Sequence, residues 1–97
     1  MPKIIFQAEA RAQEHTKVRF MRRNPEGPGP RFSDVTLQIA RLEIEDQDDG
    51  SGAYALLRLD NGGALVWRTA HLSLEEARWQ GRFEYAVAES DWRTVTK

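Results

Sequence analysis

Asn61-Gly62-Gly63 separates two apolar-rich runs, AYALLRLD (53–60) and ALVWRTA (64–70). Asn and Gly supply the positive φ angles that a tight chain reversal requires, so the two runs are expected to pair as a β-hairpin. This is the strongest local signal in the chain, and the rest of the pattern extends it. Residues 3–10 alternate, with Ile4, Phe6, Ala8 and Ala10 on one face, which suits a half-buried strand. QAEARAQEH (7–15) is rich in helix formers, which leaves open whether that strand runs on or yields to a helical turn. KVRFM (17–21) reads as a second strand. In VTLQIARLEIE (35–45), Val35, Leu37 and Ile39 share a face before the apolar phase jumps to Leu42 and Ile44, the mark of a β-bulge.

A helix is expected at 73–80. Ser73 can cap the Glu76 amide while the Glu76 side chain reaches back, and Glu75 and Glu76 favour the positive end of the helix dipole. Gly81 stands where a C-terminal stop is expected. RFEYAVAE (82–89) alternates and reads as a strand, SDW (90–92) as a turn or bulge, and 92–96 as a last strand. Ninety-seven residues make one domain, 1–97, with a flexible Pro/Gly loop at 22–34. The expected class is α+β, predominantly antiparallel β: about six strands in a curled sheet or partial barrel, with one short helix near residues 73–80.

Charge and composition narrow the chemistry. The net charge of −1 hides a basic first third, +4 over residues 1–32, and −5 over the remainder. There are no cysteines, which excludes disulfides, thiol catalysis and Cys-ligated zinc and fits a reducing compartment. The N-terminus has three consecutive apolar residues, so neither a signal peptide nor a membrane anchor is expected there, and the protein is read as cytoplasmic. Eleven arginines against three lysines suggest the codon usage of a GC-rich, bacterial genome.

No catalytic or cofactor pattern emerges. The acidic run Glu43, Glu45, Asp46, Asp48, Asp49 misses EF-hand spacing in either frame, because position twelve falls on Leu56 or Leu57, and it reads as a solvated turn. His15 and His71 have no metal-ligand spacing, no G-x-S-x-G elbow is present, and DNGG lacks the phosphate-loop pattern. The expectation is a protein that is not an enzyme and needs no cofactor or metal.

RRNPEGPGPRF (22–32) has the basic-x-x-P-x-x-P spacing, through Arg22, Pro25 and Pro28, that resembles an SH3-domain ligand. Gly27 and Gly29 remove the stiffness such ligands depend on, so the segment reads as a connector that also contacts a partner. In the helix, Ala77 shares the side of Leu74, while Trp79 points about 140° from Leu74. An outward tryptophan between Arg78 and Arg82 has the composition of a binding hot spot.

The sequence therefore points to a small protein-binding module, of accessory, inhibitor or antidote type. Its partner is another protein or a second copy, and its contact residues are Arg22, Arg23, Arg31, Phe32, Arg78, Trp79 and Arg82. One alternative is nucleic-acid binding through the basic third, with Phe20 and Phe32 as stacking platforms. A second alternative is small-ligand binding or catalysis in a sheet cleft.

Overall fold

A computed structural model describes residues 2–10, 21–23, 27, 29, 32–35 and 38–95. The 61–63 turn forms as expected, though with one left-handed residue, Gly63 (φ 85°). The Asp60 carbonyl accepts from the Gly63 amide (3.0 Å), the Asp60 amide donates to the Ala64 carbonyl (2.9 Å), and Asp60 Oδ1 takes the amides of Gly62 and Ala64. Asp60 thus holds both sides of the reversal.

The described elements are strands β1 (Lys3–Glu9), β2 (Met21–Arg23), β3 (Phe32–Asp34), β4 (Ile39–Asp46), β5 (Tyr54–Asp60) and β6 (Leu65–His71), helix α1 (Leu74–Tyr85), a 3-10 turn (Glu89–Asp91) and strand β7 (Arg93–Thr94). Five strands form an antiparallel sheet in the order β6-β5-β4-β1-β7, open at both ends and not closed into a barrel. β2 and β3 form a separate two-stranded ladder within the Pro/Gly segment, pairing Arg22 with Ser33 and Arg23 with Phe32. The expected strand at 17–21 lies outside the described residues except for Met21, and so do residues 11–15 of the helix-rich stretch.

The phase jump in 35–45 is a bulge, with the β4–β5 register shifting between Ile39 and Arg41. The extra residue lets Ile39 and Leu42, three apart, both reach the core. The strand starts at Ile39, later than expected, because the Gln38 amide turns back to the Val35 carbonyl (3.1 Å).

The helix departs more from expectation. Ser73 Oγ accepts from the Glu76 amide (3.1 Å), as a cap should, but the Glu76 carboxylate goes to His71 instead of returning to Ser73. Gly81 is not a stop. The helix runs through it to Tyr85 and ends on Ala86 in left-handed conformation (φ 56°), so 82–85 is helix and not strand. The physical reason is close approach. A Cβ on Gly81 would sit 3.0 Å from Trp92 Cζ2 and 3.3 Å from Leu42 Cδ1. The glycine lets α1 settle onto Leu42 with Trp92 wedged alongside.

Phe6, Ala8, Leu42, Ile44 and Leu56 form the sheet side of the core, against Ala77, Tyr85, Val87 and Trp92. On the other face Leu57 and Leu59 are also buried, beside the ion pairs Arg41–Glu43 (3.3 Å) and Arg68–Glu45 (3.7 Å). The acidic turn is held by its own backbone. Asp46 Oδ1 accepts from the Asp48 amide (2.9 Å), and Asp49 Oδ1 accepts from the Ser51 hydroxyl and amide.

Gly81→Val should destabilise by about 1–3 kcal/mol in urea denaturation, since the added atoms press on Trp92 and Leu42; unchanged stability would mean that the helix does not sit this close. The Ser51 hydroxyl, and secondarily its amide, hold the exposed Asp49 carboxyl below the ordinary carboxylate range. This small contribution is present at neutral pH and lost as pH falls through the lowered pKa. Ser51→Ala should therefore raise the Asp49 pKa in an NMR titration.

Candidate protein-contact face

The orientation of α1 is set from beneath. Arg58 stands on β5 among Leu56, Leu57 and Leu59 and is fully buried, a position where a charge must be paired. Its guanidinium meets Glu84 of α1 in a two-pronged ion pair: Nε donates to Oε1 (2.8 Å) and Nη2 to Oε2. Nη1 donates to the Leu56 carbonyl (3.0 Å) and to Thr69 Oγ1 (2.9 Å), and Gln80 Nε2 donates to Glu84.

From Thr69 the network continues to His71 Nε2 (2.8 Å) and from His71 Nδ1 to Glu76 Oε1 (3.2 Å). Both ring nitrogens of His71 are thus engaged, Nε2 by a β6 hydroxyl and Nδ1 by an α1 carboxylate. This acid–histidine–hydroxyl chain ties helix to sheet, and its hydroxyl also accepts from Arg58.

With Ala77, Gly81 and Glu84 turned inward, the helical period turns Trp79 directly outward. Trp79 is 59 % exposed and stacks on Phe83 one turn later, with centroids 5.4 Å apart and rings inclined by 11°. Arg78 leans to the β1 flank, its guanidinium carbon 4.4 Å from the centre of the Phe6 ring, a cation–π contact.

Between that flank and the chain after the helix lies a groove of about 440 Å³, lined by Leu74, Glu75, Arg78, Trp79, Arg82, Val87, Glu89 and Trp92. Trp92, 8 % exposed, is core and groove floor at once. A second cavity of about 510 Å³, lined by Glu9, Tyr85, Ala86, Val87, Asp91 and Arg93, lies near the end of the helix. Among the described residues no three His, Asp or Glu side chains are grouped as a metal site, and no helix is long and apolar enough to cross a membrane.

Arg78, Trp79 and Arg82 are therefore brought together on one helix around one groove. Arg23 and Phe32 face each other in the β2–β3 ladder, where Phe32 is 51 % exposed. Among the described residues that ladder is not hydrogen-bonded into the main sheet. Arg22 is in the same ladder through its backbone, and Arg31 lies outside the described residues.

Sequence reasoning missed Phe83, assigned to a strand, and the roles of Trp92, Arg58 and Glu84. A charged residue at an inward position of an alternating strand was the available signal for Arg58. No protein-family model, curated protein or solved structure matches the chain.

Breaking the buried pair should be costly. Glu84→Ala leaves Arg58 buried without its counter-charge and should lower stability by about 3–5 kcal/mol. The double replacement Arg58→Met with Glu84→Leu should recover most of that loss in chemical denaturation. A small effect of the single change would show that the pair does not anchor α1.

Proposed function

We propose that this protein is a small non-catalytic module that works by binding another protein through the outer side of α1 and its adjoining groove. The observation that carries this reading is the Trp79–Phe83 stack, held outward by a rigid helix beside a groove flanked by Arg78 and Arg82. An exposed large aromatic beside arginine is the usual composition of an interface hot spot, and its placement on a helix means little ordering entropy is lost on binding. Glu75 and Glu89 on the same rim give the groove mixed charge, which suits a protein surface better than a phosphate backbone. The cysteine-free, arginine-rich composition supports a bacterial cytoplasmic setting, with an accessory, inhibitor or antidote-type role.

A nucleic-acid reading rests on Arg23 beside exposed Phe32 in the β2–β3 ladder, an arrangement that suits base stacking. Salt separates the two. Phosphate binding weakens steeply between low and physiological salt, whereas a hot-spot contact hardly responds.

The test is capture from the native host with wild-type protein, Trp79→Ala and Arg82→Glu. Trp79→Ala should leave the fold intact, because the indole is outside the core, and weaken the partner by about thirtyfold or more. Undiminished capture by both folded variants would remove the groove as the site; loss of the fold in Trp79→Ala would make that indole structural.

A further inference from the structure

The groove beside α1 contains hydrogen-bond donors that no described residue satisfies. Trp92 is 8 % exposed and forms part of the lining, and its indole Nε1–H has no acceptor among the described residues. Arg78 Nε, in the same lining, is also withdrawn from water and without an acceptor. A buried donor left unpaired is a standing cost to a fold, and native structures hold few of them.

Charge is unbalanced at the same place. Arg78 and Arg82 stand one turn apart on α1, a spacing at which like charges repel. Arg82 lies in the last turn, where the negative end of the helix dipole favours it; Arg78, in mid-helix, has no such compensation. The Arg78 guanidinium rests on the Phe6 ring, and among the described residues no carboxylate pairs with either arginine. Glu75 and Glu89 are on the rim but exposed, so water satisfies them. The groove's unmet demand is therefore for an acceptor, not for a cation.

We propose that the groove takes a peptide segment of another protein in which an acidic side chain stands beside a large apolar one. The carboxylate lies between Arg78 and Arg82, a backbone carbonyl of the segment accepts from Trp92 Nε1–H, and the apolar side chain covers Leu74, Val87 and the Trp79 ring. This rests on the reading of the outer side of α1 as a contact face and names the chemistry of what it contacts.

Spacing supports a carboxylate. Side chains four apart on a helix leave it about 6 Å from one another, so one carboxylate can accept from both guanidinium groups in charge-assisted bonds. The volume of about 440 Å³ falls in the lower part of the roughly 300–1,000 Å³ range of ligand sites, room for a few side chains. Arg78 is held by a ring contact and no hydrogen bond, so its side chain can turn from Phe6 to the carboxylate and carry its Nε out of cover, and the segment's carbonyl follows.

The rim argues against phosphate. Glu75 and Glu89 oppose a doubly charged group more than a singly charged one, and a phosphate brings no apolar group for Leu74 and Val87. A basic segment would gain only exposed ion pairs with those two acids, which are worth little.

Panning a phage library of short random segments against the full chain tests this. Expected are sequences that set Asp or Glu beside Leu, Ile, Phe or Trp. The selected segments are then made as acetylated and amidated peptides, so that side chains supply their only carboxylates. Arg78→Gln and Arg82→Gln should each weaken them about tenfold. Replacing the peptide's acid by its amide should cost a similar factor in the wild type and clearly less in Arg82→Gln, because the two changes break one contact.

The wild type supplies a readout independent of those variants' folding. Its indole N–H signals, assigned by NMR with Trp67→Phe and Trp79→Phe, should show the Trp92 signal moving downfield as peptide is added. Basic or acid-free selected peptides, an acid-to-amide change without effect, an unmoved Trp92 signal, no peptide that responds to the arginine changes, or a single-stranded oligonucleotide that moves the Trp92 signal where no peptide does would each overturn the proposal. The two readings fail separately: peptides lost with Trp79→Ala yet indifferent to their own acids leave α1 as the contact face and overturn its acidic ligand alone.

Discussion

The buried contact between Arg58 and Glu84 organises the molecule. A guanidinium in a row of leucines is tolerable only with a full set of acceptors, and those come from three elements: the Leu56 carbonyl on its own strand, Thr69 on β6 and Glu84 on α1. Satisfying them fixes the rotation of α1 about its axis, its height over β5 and the distance it runs. A helix ending at Gly81 would never present Glu84 to Arg58. The extra turn that completes the pair also adds Phe83 to the outer side, so the interior charge and the exterior aromatic stack are consequences of one another.

From that fixed rotation the two flanks of α1 acquire different characters. Toward β1 the helix offers arginines and a groove floored by Trp92. Toward β6 it offers Phe83, on the side of the Glu76–His71 contact. Trp79 crowns the ridge between them. The placement of Trp79 and Phe83 side by side on one helix gives the contact reading its weight.

Features written in a few neighbouring residues were legible in the sequence. Asn61-Gly62-Gly63 marked the hairpin, the apolar phase jump marked the bulge before Arg41, Ser73 marked the helix start, and the helical period turned Trp79 outward. What failed depended on distant partners. Gly81 has two meanings, a stop or a place of close approach, and only Leu42 and Trp92 decide between them. Alternation through Phe83, Tyr85 and Val87 would set all three on one face of a strand, whereas the helix turns Tyr85 inward and Phe83 outward. Glu76 had two acceptable destinations, and His71 won over the cap. The placement of Arg78, Trp79 and Arg82 on one helix was readable; the groove was not, because Val87, Glu89 and Trp92 reach it only after an unforeseen helix end.

Strand order carries a kinetic consequence. β4, β5, β6 and α1 are consecutive in the chain and pack as neighbours, so the ladder from Ile39 to Tyr85 closes through short loops. β1 must instead find β4 across the twenty-nine residues between Glu9 and Ile39, and β7 must find β1 across nearly the whole length. Closing such loops costs entropy before any contact returns it. The order of assembly is thus written into the topology: a central meander with its helix as nucleus, and a first and a last strand that zip on together afterwards.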